Sequence, residues 1–187
     1  MTKDKTSAII LCVSSLLFYA WGEPKYVFLM IASILMFYGC GLAIEMAKTQ
    51  AQKKLWLTVS IVISIGLLAI FKYADFFIDS FNAVTGLSIP LLRLALPVGI
   101  SFYTFQCLSY TMDVYRHDVV PERNFLKYAL FVSFFPQLVA GPIERPGNLM
   151  PQLKEPHKIN KHDSLKGAQK MLMGFFKKIV VADLAAV

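Results

Sequence analysis

The stretch LPVGISFYTFQ, residues 96–106, places polar and helix-disrupting residues inside a long apolar region. On a helix through this stretch, polar groups recur at alternating steps of four and three residues, which puts them on one face. This stripe consists of Gly99, Tyr103, Gln106, Tyr110 and Asp113. At about 1.5 Å per residue the stripe is about 20 Å long, which is most of the depth of a bilayer's hydrocarbon core.

The composition around this stretch is that of a membrane protein. Hydrophobic residues make up 56% of the chain and charged residues only 17%, and the apolar residues occur in runs. The chain has 19 Lys and Arg against 12 Asp and Glu, but these basic residues lie between the apolar runs, where topology signals are found. The sequence therefore predicts an all-α, polytopic membrane helix bundle, and it argues against nucleic acid as a partner.

Six apolar segments are expected in one membrane domain, residues 1–187. They lie at about 7–21, 26–46, 55–71, 94–115, 126–140 and 171–187. No small-residue cleavage site follows the first segment, so we interpret it as retained rather than as a secretory signal. Residues 73–84 have aromatic side chains on one helical face and acids on the other. We expect them to form a helix in the outer interface, or else to lengthen the preceding span.

The lysines predict the orientation of the chain. The loop from Lys48 to Lys54 has three lysines and no acid, so the positive-inside rule places this loop and the N-terminus in the cytoplasm. The basic region 142–178 should be cytoplasmic too, which conflicts with a full span at 126–140. Because that segment is short and contains proline, we expect it to enter the membrane and return. The residues expected to break helices are Pro97, Gly99, Pro136, Gly141 and Pro142.

Two interpretations of the polar stripe stay open. Taken singly, Gln and Tyr residues in membrane helices more often hydrogen-bond to a neighbouring helix, for about 1 kcal/mol each. An aligned polar face that includes an acid is, however, the usual wall of a polar cavity. The same choice applies to the FFPQLVAGPIERP stretch, which is either a plain turn or part of a cavity floor. The candidate tunnel-lining residues are Tyr103, Gln106, Tyr110, Asp113, Gln137 and Arg145.

The cysteines and histidines predict no catalytic or metal site. The cysteines lie in apolar runs without metal-ligand spacing, which is typical of small core residues. The histidines lie in polar loops, and no nucleophile stands beside a base. These residues are Cys12, Cys40, Cys107, His117, His157 and His162. We therefore expect no metal, no bound cofactor and no catalytic residue within this sequence.

Two long motifs closely resemble the membrane-bound O-acyltransferase family. They are LPVGISFYTFQCLSYTMDVYR, residues 96–116, and RNFLKYALFVSFFPQLVAGPIERP, residues 123–146, with a weaker likeness in FKYADFF and GFFKKIVVAD. The resemblance runs from about Tyr19 to the end of the chain. It is nearest to the bacterial alginate O-acetyltransferases and the D-alanyl transfer proteins of teichoic acid.

The resemblance implies a multi-pass protein of the bacterial inner membrane that encloses a tunnel. Through it, an acyl group, here expected to be acetyl, passes from a cytoplasmic thioester or other activated donor to a hydroxyl of an extracytoplasmic polysaccharide or an acyl carrier. It also implies contact with membrane lipid and with accessory secretion or transfer proteins. The family's characteristic histidine lies in a later apolar segment. We therefore expect an N-terminal fragment, with that histidine beyond Val187 and no activity of its own.

Three alternatives remain open at this stage. A transporter or export component would use the broken segment and the stripe to line a substrate path. Transporters commonly contain paired repeats, and the sequence contains none that we detect. A structural or partner-recruiting membrane subunit, or within the family a teichoic acid D-alanylation protein, would have the same apolar runs.

Overall fold

The computed structural model describes residues 2–138, 143–154 and 160–185, and in these residues every regular element is a helix. The predicted all-α class is therefore confirmed for the described part of the chain. Two compact units are present, Met1–Lys154 and Glu155–Val187. That they belong to one membrane domain stays a prediction. The predicted breaks at Gly141 and Pro142 lie outside the described residues.

The first unit contains eight helices among its described residues. They are α1 (Thr2–Gly22), α2 (Val27–Met46), α3 (Gln50–Leu68), α4 (Ala74–Thr85), α5 (Ile100–Arg116), α6 (Phe125–Ser133), α7 (Phe135–Leu138) and α8 (Pro146–Lys154). The second unit contains α9 (Lys161–Phe176) and α10 (Asp183–Ala185), joined by the π-helical turn Lys177–Ala182. The predicted segment at 94–115 is thus helical only from Ile100 onward, because Pro97 and Gly99 precede the first turn.

Two of the described helices are long and apolar enough to cross a membrane, Val27–Met46 and Gln50–Thr85. The second comprises α3, a π-helical turn at Ala69–Tyr73, and α4 without interruption. Its 36 residues would extend about 54 Å, well beyond the roughly 30 Å of a hydrocarbon core. The structure therefore contains the continuous helix that is expected if residues 73–84 lengthen the third span. An interfacial position for residues 73–84 stays a prediction.

Polar residues of α4 hold the non-helical segment 86–99 against that helix. The Asp75 carboxylate accepts hydrogen bonds from the backbone N–H groups of Leu92, at 2.7 Å, and Arg93, at 3.0 Å. The Asn82 side chain bonds both to the N–H and to the carbonyl of Ile89, at 3.0 and 2.9 Å. The acid and amide that the sequence pattern assigned to a water-facing surface thus satisfy backbone groups that lack a helical partner.

The core forms where α2, α3 and α5 pack against one another and where α1 packs against α6. Helices α2 and α5 approach closely at Gly41, where a Cβ atom would lie 2.7 Å from Cε1 of Tyr110. The hydroxyls of Ser60 on α3 and Thr111 on α5 lie 3.2 Å apart and form a buried hydrogen bond. Small residues and hydroxyl pairs of this kind are the usual means of helix association in a lipid environment.

Two sets of contacts mark the opposite ends of the first unit. At one end Arg123 pairs with Glu45 at 3.0 Å, and Lys53 Nζ lies 3.4 Å from Nε2 of His117. At the other end the Tyr26 hydroxyl donates to the carbonyl of Ala95 at 2.9 Å, and the Tyr19 hydroxyl to that of Val98 at 3.0 Å. The connections after α2 and α5 therefore share one end, and those after α1 and before α5 share the other.

Candidate functional site

The predicted break near Pro136 separates α6 from α7 at Phe134, which has φ −56° and ψ 106°. Pro136 has no N–H, so the helical hydrogen bond to the carbonyl of Val132 cannot form. One residue earlier, the N–H of Phe135 donates instead to Oγ of Ser15 on α1, at 3.4 Å. The break is therefore held by a side chain from the first helix of the chain.

The backbone carbonyl of Phe131, which the break leaves without its helical donor, accepts from two glutamines. Nε2 of Gln106 lies 2.9 Å from this oxygen and Nε2 of Gln137 lies 3.3 Å from it. Phe131 is fully buried, so without these donors its carbonyl would be unpaired inside the protein at a cost of about 1–3 kcal/mol. Gln106 from the polar stripe and Gln137 from the predicted cavity floor thus bind the same backbone oxygen.

The tyrosines of the stripe are fully buried and do not face an open space in this part of the protein. The Tyr110 hydroxyl accepts a hydrogen bond from the N–H of Glu122 at 2.9 Å, and its ring lies 4.7 Å from that of Tyr128. The Tyr103 hydroxyl and Oγ1 of Thr104 have no hydrogen-bond partner among the described residues. Buried polar groups usually find a partner or a water molecule. Whether these tyrosines line a tunnel stays a prediction.

Asp113 and Arg145 come together in an open cleft of about 240 Å³. The cleft is also lined by Ser109 and Arg116, and by the apolar side chains of Phe105, Leu108 and Met112. None of these five residues was among the candidate tunnel-lining residues predicted from the sequence. The spacing of Ser109, Asp113 and Arg116, at steps of four and three residues, was the available signal.

The charged groups of the cleft are one carboxylate and two guanidinium groups. Burial and the nearby Asp118 disfavour the charge of Asp113, whereas Arg145 and Arg116 favour it. Asp113 lies on the edge of the stripe, where the buried face of α5 adjoins the open cleft, and it is half-buried. Such a site offers a hydrogen-bond acceptor and planar cationic donors beside an apolar wall, which suits a small acyl group attached to an anionic carrier.

Gly99 connects the start of α5 to the broken segment. It has φ +74°, and a Cβ atom at this position would lie 2.8 Å from the carbonyl oxygen of Leu138 on α7. Pro97 is buried, and its carbonyl accepts from the N–H of Ile100 at 3.2 Å. The two predicted breaks therefore lie against each other. No group of three or more metal-ligating side chains occurs in the described part of the chain.

Comparison with curated proteins identifies relatives over almost the whole chain. A peptidoglycan O-acetyltransferase of Helicobacter pylori is 36% identical across 94% of this chain. The probable alginate O-acetylases AlgI of Pseudomonas aeruginosa and Azotobacter vinelandii are 36% and 37% identical, across 100% and 95% of it. These names confirm the resemblance to O-acetyltransferases that the two long motifs indicated.

The chain spans only a little more than a third of the length of these relatives, 38% of the first and 36% of the other two. No family model matches the sequence. No solved structure matches it either.

Proposed function

We propose that the chain is part of a polytopic membrane O-acetyltransferase of the membrane-bound O-acyltransferase family, which acetylates hydroxyl groups of an extracytoplasmic polysaccharide. The observation that carries the proposal is the similarity of about 36% over nearly the whole chain to enzymes named for acetyl transfer to alginate and peptidoglycan. The acetyl donor, the polysaccharide acceptor and accessory transfer proteins are the partners of this proposed reaction.

The chemistry defines what this chain contributes. Attack of a sugar hydroxyl on an activated acyl group needs a base for the proton and donors for the developing oxyanion. It also needs water to be kept away from the donor. In our proposal Asp113, Arg116 and Arg145 bind polar and anionic parts of the donor, while Phe105 and Met112 exclude water. The base comes from a residue outside this sequence, because its histidines all lie in polar segments.

The complete protein, in membranes, is expected to transfer labelled acetyl groups from an activated donor to alginate or to peptidoglycan. The 187-residue chain produced alone is expected to transfer none, because we assign the base that the reaction needs to a residue outside this sequence. Radiolabel incorporated into purified polymer measures both. If the chain alone incorporates label, and a substitution within it abolishes this incorporation, then the catalytic base lies within this sequence. Absence of transfer to any polysaccharide by the complete protein would refute the proposed function.

The contacts at the two ends of the first unit support a multi-pass topology. If the lysine-rich loop at 48–54 is cytoplasmic, its contact with His117 puts the end of α5 on the same side. Arg123 joins the same end through Glu45. Arg145 lines the cleft with Arg116, so the chain has returned to that end after the break. These contacts favour a re-entrant segment at 126–140 and a cleft on the side of the acyl donor.

A reporter cysteine at Gln50 is expected to stay unmodified by a membrane-impermeant thiol reagent in intact cells and to react after the membrane is opened. Gln50 is exposed and begins α3, in the lysine-rich segment 48–54 that we assign to the cytoplasm. The three cysteines of this chain are buried, so they contribute little background. A matched cysteine at Glu23, in the turn between α1 and α2, should react in intact cells, because the same orientation places this turn outside the cytoplasm. The opposite labelling pattern would reverse the assigned orientation.

A further inference from the structure

Helix α9 in the second unit has two chemically distinct faces. Leu165, Leu172 and Phe176 follow one another at steps of seven and four residues and lie on one side, together with Ala168 and Phe175. Lys166 and Lys170 lie on the opposite side, four residues apart, and Lys177, the first residue of the π-helical turn that follows, comes seven residues later. The side chain of Asn160 caps the first turn by accepting from the N–H of His162 at 3.1 Å. The helix thus has a fixed start and a clear polarity.

Within the second unit the apolar face of α9 is exposed, as are nearly all of the unit's described residues. Leu172 is 70% exposed and Leu165 is 62% exposed, and Phe175 and Phe176 each expose more than half of their surface. A contiguous exposed apolar surface of this kind normally contacts another protein or a membrane. The helix is not among the described candidates for a membrane span, and a span would carry Lys170, Lys177 and Lys178 into hydrocarbon at a high energetic cost.

We propose that α9 is an interfacial helix that binds anionic lipid, with its apolar face among the acyl chains and its lysines at the headgroups. Apolar side chains on one face and a row of lysines on the other form the pattern of helices that lie in the plane of a charged membrane surface. Charge complementarity identifies the occupant, because lysines near an anionic leaflet are attracted to it and a neutral protein surface would not require them. This inference does not depend on acetyl transfer.

Nitroxide labels on the complete protein in phosphatidylglycerol-rich vesicles test this placement. Spin labels introduced by Leu172→Cys and, separately, by Lys170→Cys report collisions with oxygen, which concentrates in lipid, and with a water-soluble nickel complex. We expect oxygen to dominate at position 172 and the nickel complex at position 170. Protection of position 172 from both reagents would show that protein covers this face. Equal exposure of both positions to nickel would show that water covers it. Either result would overturn the proposal.

The role of the lysines is tested with the label at position 172. The preference for oxygen is expected to be largely lost when phosphatidylcholine replaces phosphatidylglycerol, or when Lys166→Gln and Lys177→Gln are combined. The matched control combines Lys48→Gln with Lys54→Gln, which removes the same charge from another basic segment and should leave the preference unchanged. An unchanged preference in the α9 double variant, or in phosphatidylcholine, would refute binding to anionic lipid. The measurement needs no enzymatic activity, so its result tests lipid binding by α9 independently of the proposed acetyl transfer.

Discussion

Replacement of Asp113 by leucine is expected to lower the acetyl-transfer rate of the complete protein by about tenfold or more, equivalent to about 1.4 kcal/mol of transition-state binding. Asp113 is the one acid among the described residues that line the cleft, and Arg116 and Arg145 line the same cleft and favour its charge. Leucine fills similar space but leaves both guanidinium groups without their counter-charge, so they would no longer be held in position for a donor. The amount of inserted protein should stay nearly unchanged.

Two variants separate this effect from general damage. Asp79→Leu removes an exposed acid on α4 and should leave activity per folded molecule nearly intact. Gln106→Leu removes a buried donor to the carbonyl of Phe131, so it should mainly lower stability, by about 1–2 kcal/mol. Activity is measured as initial rate of acetyl incorporation per folded protein. If Asp113→Leu is no more harmful than Asp79→Leu in that measure, the cleft is not a donor site.

Replacement of Gly99 by alanine is expected to destabilise the first unit by about 2–5 kcal/mol. Its φ of +74° costs an L-residue about 1–2 kcal/mol. The added Cβ would also lie 2.8 Å from the carbonyl oxygen of Leu138, a backbone atom that cannot move alone, and such overpacking costs a further 1–3 kcal/mol or so. A lower unfolding temperature in detergent, with loss of folded protein in membranes, measures the effect.

Gly39→Ala is the matched control for this substitution. Gly39 lies within α2, and a Cβ there would meet no atom within 4 Å. Alanine should therefore be neutral, or stabilising by up to about 1 kcal/mol, because it favours the helix. An unfolding temperature for Gly99→Ala equal to that of Gly39→Ala would contradict the close packing of α5 against α7.

Local sequence signals account for part of the helical structure. Apolar runs coincide with α2 and with most of α3, Pro97 and Gly99 precede α5, and Pro136 lies beside the interruption after α6, but the predicted segments 94–115 and 171–187 differ from α5 and α9 in their bounds. These features depend on backbone chemistry that single residues impose. The positions of the helices in a membrane, by contrast, depend on surroundings that no residue pattern fixes alone.

The candidate site was only partly predictable, because it depends on which helices pack together. A period of three and four residues placed Gln106 and Asp113 on one stripe, but it could not show that Gln106 points to the carbonyl of Phe131. It also missed Ser109 and Arg116, which share the cleft with Asp113. The helical repeat shows which residues share one face of a helix. Which other helix packs against that face depends on contacts between residues that are distant in sequence.

The break between α6 and α7 has a consequence for the order in which the protein is made. Its N–H at Phe135 is satisfied by Ser15, and its carbonyl at Phe131 by Gln106 and by the nearby Gln137. Both distant partners precede the break, so a ribosome that builds the chain from its N-terminus delivers them first. When the N–H of Phe135 and the carbonyl of Phe131 leave the ribosome, their distant partners have therefore already been synthesised. Both groups can be hydrogen-bonded as the segment enters the membrane, without residues that are made much later.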